Sequence, residues 1–206
     1  MALPWALAVL SLLPLLNAQS SSCVNFTVPI TNASLDQISG KGYFVAWAYR
    51  NPLYKLLTSL TQSAFFYLDF NHTDDTVLIR QYATINHQCI YSSSHLKMQK
   101  ENGTLSRYLM GTELFAYLIL TKDPGIFMLA FSPEDKQNMG FSLFADKPVL
   151  TPEQMRQFHE QVICMGMEKS EIVYVDENQD QCEPLHKEHE ERKKETDAKG
   201  PKEGGK

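Results

Sequence analysis

Between Tyr43 and Asp146, short runs rich in aromatic and β-branched residues are broken by turn-forming residues roughly every ten to fifteen positions, the pattern of strands joined by hairpins. It predicts eight strands, near 43–50, 62–70, 76–84, 88–98, 104–110, 114–121, 126–132 and 139–145. The separators carry their own turn chemistry: Asn71-His72-Thr73-Asp74-Asp75, Glu101-Asn102-Gly103, Asp123-Pro124-Gly125 and Ser132-Pro133-Glu134-Asp135. Connections this short give an antiparallel meander, because a parallel pair needs a long crossover and none interrupts the run. Several strands are apolar on both faces, Ile126-Phe127-Met128-Leu129-Ala130-Phe131 most plainly. One face of such a strand packs on a helix or second sheet, and the other looks into a barrel or a sandwich core; the pattern leaves both open.

Downstream, Thr151-Pro152-Glu153-Gln154 predicts a helix start, with Thr151 as cap, Pro152 at the first helical position and Gln154 completing a capping box. Met155, Phe158, His159, Val162 and Ile163 recur at helical spacing, and Gly166 can close the helix, whose apolar stripe should lie on the sheet. Ile172-Val173-Tyr174-Val175 predicts a short ninth strand. From Glu183 the last twenty-four residues hold seven acidic and seven basic side chains and almost nothing apolar, which predicts a disordered tail.

The start of the chain has a different character. Trp5 to Leu16 is an apolar stretch of signal-sequence length, followed by Asn17-Ala18 and the polar Gln19-Ser20-Ser21-Ser22, so Ala18 is the last residue expected to be removed. The expected organisation is a signal peptide over 1–18, one domain over 19–182 and the charged tail over 183–206. No later apolar run reaches the roughly 18–20 residues that span a bilayer, so no stable membrane insertion is expected. At 206 residues and 43% apolar, the chain can bury a real core. Its net charge of −5 falls entirely after residue 18 and disfavours a nucleic-acid partner.

Four cysteines follow the leader, Cys23, Cys89, Cys164 and Cys182, an even count that in an exported chain predicts two disulfides without saying which of three pairings forms. None of their spacings suits a zinc site. Four sequons begin at Asn25, Asn32, Asn71 and Asn102, and each needs a solvated loop and lumenal passage to carry a glycan. Together these features predict a secreted glycoprotein. No nucleophile elbow, phosphate loop or dinucleotide fingerprint appears, the histidines are scattered, and His186-x-x-His189 falls in the expected tail, so neither an enzyme nor a metal or cofactor site is expected.

Eight antiparallel strands and one amphipathic helix in a small exported chain is the plan of lipocalins, whose barrels hold one small ligand. The resemblance to the lipocalin family, and within it to acidic plasma glycoproteins, covers nearly the full length. It is carried by Pro29-Ile30-Thr31-Asn32, Leu35-Asp36-Gln37-Ile38, Gln88-Cys89-Ile90-Tyr91, Glu101-Asn102-Gly103-Thr104, Ser106-Arg107-Tyr108, Met128-Leu129-Ala130-Phe131, Ala145-Asp146-Lys147-Pro148 and Cys182-Glu183-Pro184-Leu185. The expected fold is therefore all-β: an eight-stranded antiparallel up-and-down lipocalin barrel with one C-terminal amphipathic α-helix packed outside.

The resemblance implies the disulfides Cys23–Cys164 and Cys89–Cys182, the second closing a loop of about ninety residues and constraining the unfolded chain by about 4–5 kcal/mol in the chain-entropy picture. It implies a monomeric plasma carrier of small lipophilic ligands, neutral steroids and basic drugs among them, with an acute-phase and immune-modulating role. The alternative is an interaction protein whose glycans and surface act while the pocket is secondary. Carried over by position, the ligand-binding residues are Phe44, Tyr49, Tyr54, Phe66, Leu68, Leu105, Arg107, Leu129, Phe131, Ser142 and Phe144. Strand parity agrees in part: Phe66 with Leu68, Leu105 with Arg107, Leu129 with Phe131, and Ser142 with Phe144 each share a face. A guanidinium inside a barrel is costly unless paired, so Arg107 should meet a partner, water or the mouth.

Three departures change the expectation. The lipocalin Gly-x-Trp survives only as Gly40-Lys41-Gly42, so neighbouring side chains must repack or leave a void. Trp47, the only tryptophan after the leader, stands five residues later on what parity makes the opposite face, and so is not expected to replace the lost ring. Finally, Gln81 and Ala83 stand where the resembled proteins carry an acidic residue and a glutamine, which implies weaker selectivity for cationic amines than for neutral steroids.

Overall fold

The computed structural model describes residues 23–109 and 111–198, so the expected leader lies outside the described residues. A short helix α1 (Asn32–Asp36) precedes β1 (Gly40–Tyr49), α2 (Pro52–Leu60), β2 (Thr61–Asn71), β3 (Thr76–Ile85), β4 (Gln88–Gln99), β5 (Thr104–Leu109), β6 (Thr112–Leu120), β7 (Ile126–Phe131) and β8 (Gly140–Ala145). Then come α3 (Pro152–Cys164), β9 (Ile172–Tyr174) and α4 (Glu183–Ala198). Neighbouring strands from β2 to β8 pair antiparallel in chain order, and β1 pairs with both β8 and β2. That last pairing closes the sheet into an eight-stranded barrel and excludes the sandwich. Among the described residues no helix is long and apolar enough to cross a membrane.

The barrel is not seamless along β1. Gly40–Tyr43 pairs with Phe65–Leu68 of β2, but Ala46–Ala48 pairs instead with β9. Beyond Tyr43 the two strands diverge, β9 occupies the vacated edge, and α2 fills the turn between β1 and β2. The segment 51–61, whose conformation the sequence leaves open, is this helix: Asn51 Oδ1 accepts from the N–H groups of Leu53 and Tyr54, and Pro52 supplies a first residue that needs no acceptor.

Alternation along the strands divides the apolar residues into an inner and an outer set. Phe66, Leu68, Val77, Met98, Leu105, Leu118, Phe127 and Phe144 pack inside, with Leu35 and Ile38 plugging one end. Outside, Val45, Ala46, Ala48, Met128, Ala130, Phe141 and Leu143 meet Phe158 and Val162 of α3. Thr151 and Gln154 form the capping box expected at its start, each side chain accepting from the other residue's backbone N–H. Ile163, expected on the buried stripe, is exposed, because it sits one position, about 100° of helical turn, past Val162. The disulfides are Cys23–Cys164 and Cys89–Cys182.

Two expectations are corrected. The charged segment from Glu183 was expected to be disordered, but through Ala198 it is helical and packs on the barrel wall. Its composition is indeed poor in apolar residues, but Cys182 is fully buried and disulfide-bonded to β4, so the helix starts from a fixed point. Tyr67 and Tyr82 hydrogen-bond through their hydroxyls to His186 and His189 at 2.8 and 2.9 Å, and the imidazole of His186 stacks on Tyr67. The polar face is reinforced by Glu183–Lys187 and Glu188–Arg192 pairs one turn apart.

The second correction concerns Trp47. The register of β1 against β8 shifts between Phe44 and Ala46, a β-bulge that inserts one residue and reverses the alternation beyond it. Phe44 faces Phe144, Trp47 faces Ser142, and both pairs point inward, while Ala46 and Ala48 face outward with Leu143 and Phe141. Trp47 therefore shares the interior with Gly42. The ring that fills the space over Gly42 is Phe66, its cross-strand partner, which lies so close that a Cβ on residue 42 would overlap it. Gly140 similarly makes room for the ring of Tyr49 opposite.

Gly42→Ala is expected to destabilise the protein by about 1–3 kcal/mol by driving a methyl group into the Phe66 ring. Urea unfolding midpoints will show this, and adding Phe66→Leu to the same chain should recover part of the loss.

Candidate ligand-binding site

Register places interior side chains in two tiers along the barrel. At the plugged end, Phe44 lies edge-on to Phe66 at 5.4 Å and to Phe144 at 4.8 Å, and Phe127 stacks on Phe144 at 4.9 Å. Leu68 and Leu105 belong to the same cluster. Five of the expected ligand-binding residues, Phe44, Phe66, Leu68, Leu105 and Phe144, thus belong to one apolar cluster together with Phe127.

The upper tier is more open. Tyr49 lies 5.4 Å from Tyr54 and 5.6 Å from Phe131, and Tyr54 lies 6.3 Å from Phe131, so three rings from β1, α2 and β7 meet around the mouth, each partly exposed. Leu129 is also partly exposed, while Ser142 beneath is buried. The Tyr49 hydroxyl and Ser142 Oγ are 2.5 Å apart. Burial is the largest influence on Tyr49 and pushes its hydroxyl well above the usual tyrosine range; the hydrogen bond from Ser142 opposes this only in part. Arg107 points toward the same end and is exposed, the solution expected for an unpaired guanidinium.

The opposite wall is polar. Gln81 of β3 pairs with Phe66 on one side and Ser92 of β4 on the other, and Ile79 pairs with Ser94, which puts Gln81, Ser92 and Ser94 on the inner face. Among the described residues no acidic side chain occupies an inner register position, and Arg107 is the only charged one. Trp47, buried on the aromatic wall, has an Nε1–H with no hydrogen-bond partner. Sequence reasoning missed Trp47, Ser92, Ser94 and Phe127 as interior residues. Ser92, Ser94 and Phe127 follow from parity once the pairing is known, but the bulge hides Trp47. Among the described residues no group of His, Cys, Asp and Glu could hold a metal ion.

Outside the barrel, all four sequon asparagines are exposed, Asn25, Asn32, Asn71 and Asn102 alike. Asn102 also lies on the rim of an open groove of about 390 Å³ formed by Thr27, Gln99, Thr104, Ser106, Glu113, Phe115 and Tyr117.

Residues 39–179 match the lipocalin / cytosolic fatty-acid binding protein family. Over 199 residues the chain is 52% identical to alpha-1-acid glycoprotein of Oryctolagus cuniculus, covering 96% of this chain and 99% of that one. It is 48% identical to alpha-1-acid glycoprotein of Bos taurus, covering 96% of this chain and 100% of that one. With alpha-1-acid glycoprotein 1 of Mus musculus it shares 45% identity, with 99% of each chain covered. Among solved structures, the siderocalin Q83 superposes with a TM-score of 0.57 at 13% identity, covering 72% of this chain and 94% of that one. The siderocalin Ex-FABP gives 0.55, also at 13% identity, over 68% and 93%. At that identity the likeness concerns the fold alone.

Tyr49→Phe is expected to cost about 1–3 kcal/mol, because it strands the buried Ser142 hydroxyl without its partner. Adding Ser142→Ala should restore most of that loss in urea unfolding, since both ends of the hydrogen bond are then gone.

Proposed function

Because this chain belongs to the lipocalin family, we propose that it is a secreted, monomeric plasma carrier that takes one small lipophilic molecule into the upper tier of its barrel. The family binds its ligands rather than transforming them, and the chain is not an enzyme. Tyr49, Tyr54, Leu129, Phe131 and Ser142 contact the ligand, Arg107 stands at the mouth, and Phe44, Phe66, Leu68, Leu105 and Phe144 form the floor. The observation that carries this reading is the meeting of the Tyr49, Tyr54 and Phe131 rings over a closed apolar floor. Aromatic walls remove ligand surface from water at roughly 25 cal/mol per Å², and a few polar groups set its orientation.

The interior charge pattern favours neutral ligands such as steroids. With Gln81 on the inner face and no carboxylate beside it, an ammonium ion would leave water without a counter-charge. An acute-phase and immune-modulating role completes the proposal. The second reading, in which glycans and surface act and the pocket is secondary, is favoured by the four exposed sequons and by Asn102 on the rim of the outer groove.

Titrating a neutral steroid while following Trp47 fluorescence, on glycosylated and on enzymatically deglycosylated protein, separates the two. Saturable one-site quenching in both forms supports the carrier, and its absence in both supports the surface reading. In competition, a matched cationic amine should bind about tenfold more weakly than its neutral counterpart, the factor expected when a buried polar group goes uncompensated. A preference for the amine would count against the neutral-ligand assignment.

A further inference from the structure

Among the described residues, the barrel interior contains a fully buried donor that the fold leaves without an acceptor. Trp47 is 4% exposed, and its Nε1–H meets no acceptor among the described residues. Leaving a buried N–H unpaired is unfavourable by about 1–3 kcal/mol, so such groups normally meet a water or a ligand. The bulge at Phe44/Ala46 turns this ring inward, opposite Ser142. Ser142 does not serve it: its hydroxyl pairs with that of Tyr49 at 2.5 Å, and the indole N–H makes no hydrogen bond to it.

The position along the barrel gives the donor its meaning. Phe44, whose ring lies edge-on to Trp47 at 5.8 Å, belongs to the closed floor. The next inward residue after Trp47 is Tyr49, whose ring meets Tyr54 and Phe131 at the mouth. Trp47 thus stands where the floor ends and the open tier begins, the depth reached by the leading end of an inserted molecule. We infer that the Trp47 indole N–H is the deep hydrogen-bond donor of the site and selects lipophilic ligands that carry a carbonyl oxygen at the end inserted first. This rests on the carrier reading and specifies the ligand class. An indole only donates, so it pairs with a ketone oxygen outright. A hydroxyl at the same place brings a proton needing an acceptor of its own, a hydrocarbon end leaves the N–H unpaired, and an ammonium opposes it.

The test compares a steroid monoketone with the same skeleton in which the ketone is reduced to methylene, each displacing a bound naphthalene-sulfonate dye from wild-type protein and from Trp47→Phe. Wild type should prefer the ketone by about tenfold, the factor one hydrogen bond to an otherwise unpaired donor contributes. Trp47→Phe should bring the two within about twofold. In wild type, ketone binding should also lower the frequency of the indole N–H Raman mode, a readout that requires no variant to fold. An undiminished ketone preference in a folded Trp47→Phe, no preference in wild type, or an unmoved N–H mode overturns the inference while leaving the carrier intact. If neither compound displaces the dye from wild type, the carrier reading fails and the inference fails with it.

Discussion

The β-bulge between Phe44 and Ala46 governs what the barrel encloses. Before it, β1 is held by β2 and β8 and presents Gly42 and Phe44 to the interior; after it, β1 is held by β8 and β9 and presents Trp47 and Tyr49. Were the same residues to alternate regularly with no bulge, Ala46 and Ala48 would line the interior, and Trp47 and Tyr49 would face α3. The small outward alanines allow α3 to approach, and the large inward rings narrow the barrel above its floor. One irregularity in one hydrogen-bond ladder therefore sets both the helix packing outside and the shape of the site inside.

The aromatic content of the interior is redistributed rather than lost. The sequence departs from the lipocalin pattern at Gly42, and the space over that glycine is taken by Phe66 from the neighbouring strand, supported by Phe44, Phe127 and Phe144. An indole remains, but higher along β1, where it borders the open tier. This fits the low identity to the superposed siderocalin structures, since a closed ladder of backbone hydrogen bonds tolerates different ways of filling its centre.

Much of this architecture was legible in the chain. The eight barrel strands follow from alternation and turn residues, because each is long enough for period two to show, and the start of α3 follows from Thr151, Pro152 and Gln154 acting within one turn. Inward-facing pairs such as Ser142 with Phe144 follow from parity. Where a single residue changes the phase, parity fails, and nothing in Phe44-Val45-Ala46 marks the bulge. The course of α4 was hidden for another reason: its attachment rests on a disulfide and two imidazole–phenol hydrogen bonds, none of which gives a periodic signal. That the five floor residues belong to one packed apolar cluster is equally invisible in sequence, since lining and core residues have the same chemistry.

The two disulfides interleave along the chain, Cys23 to Cys164 and Cys89 to Cys182. A cut between Cys23 and Cys89 leaves the first bridge joining the pieces, a cut between Cys164 and Cys182 leaves the second, and a cut between Cys89 and Cys164 leaves both. No single backbone cleavage within this span can divide the molecule into separate fragments. For a chain whose mouth is bordered by an exposed helix and several hairpins, a nick by a protease is thus a local injury that the covalent topology prevents from becoming dissociation.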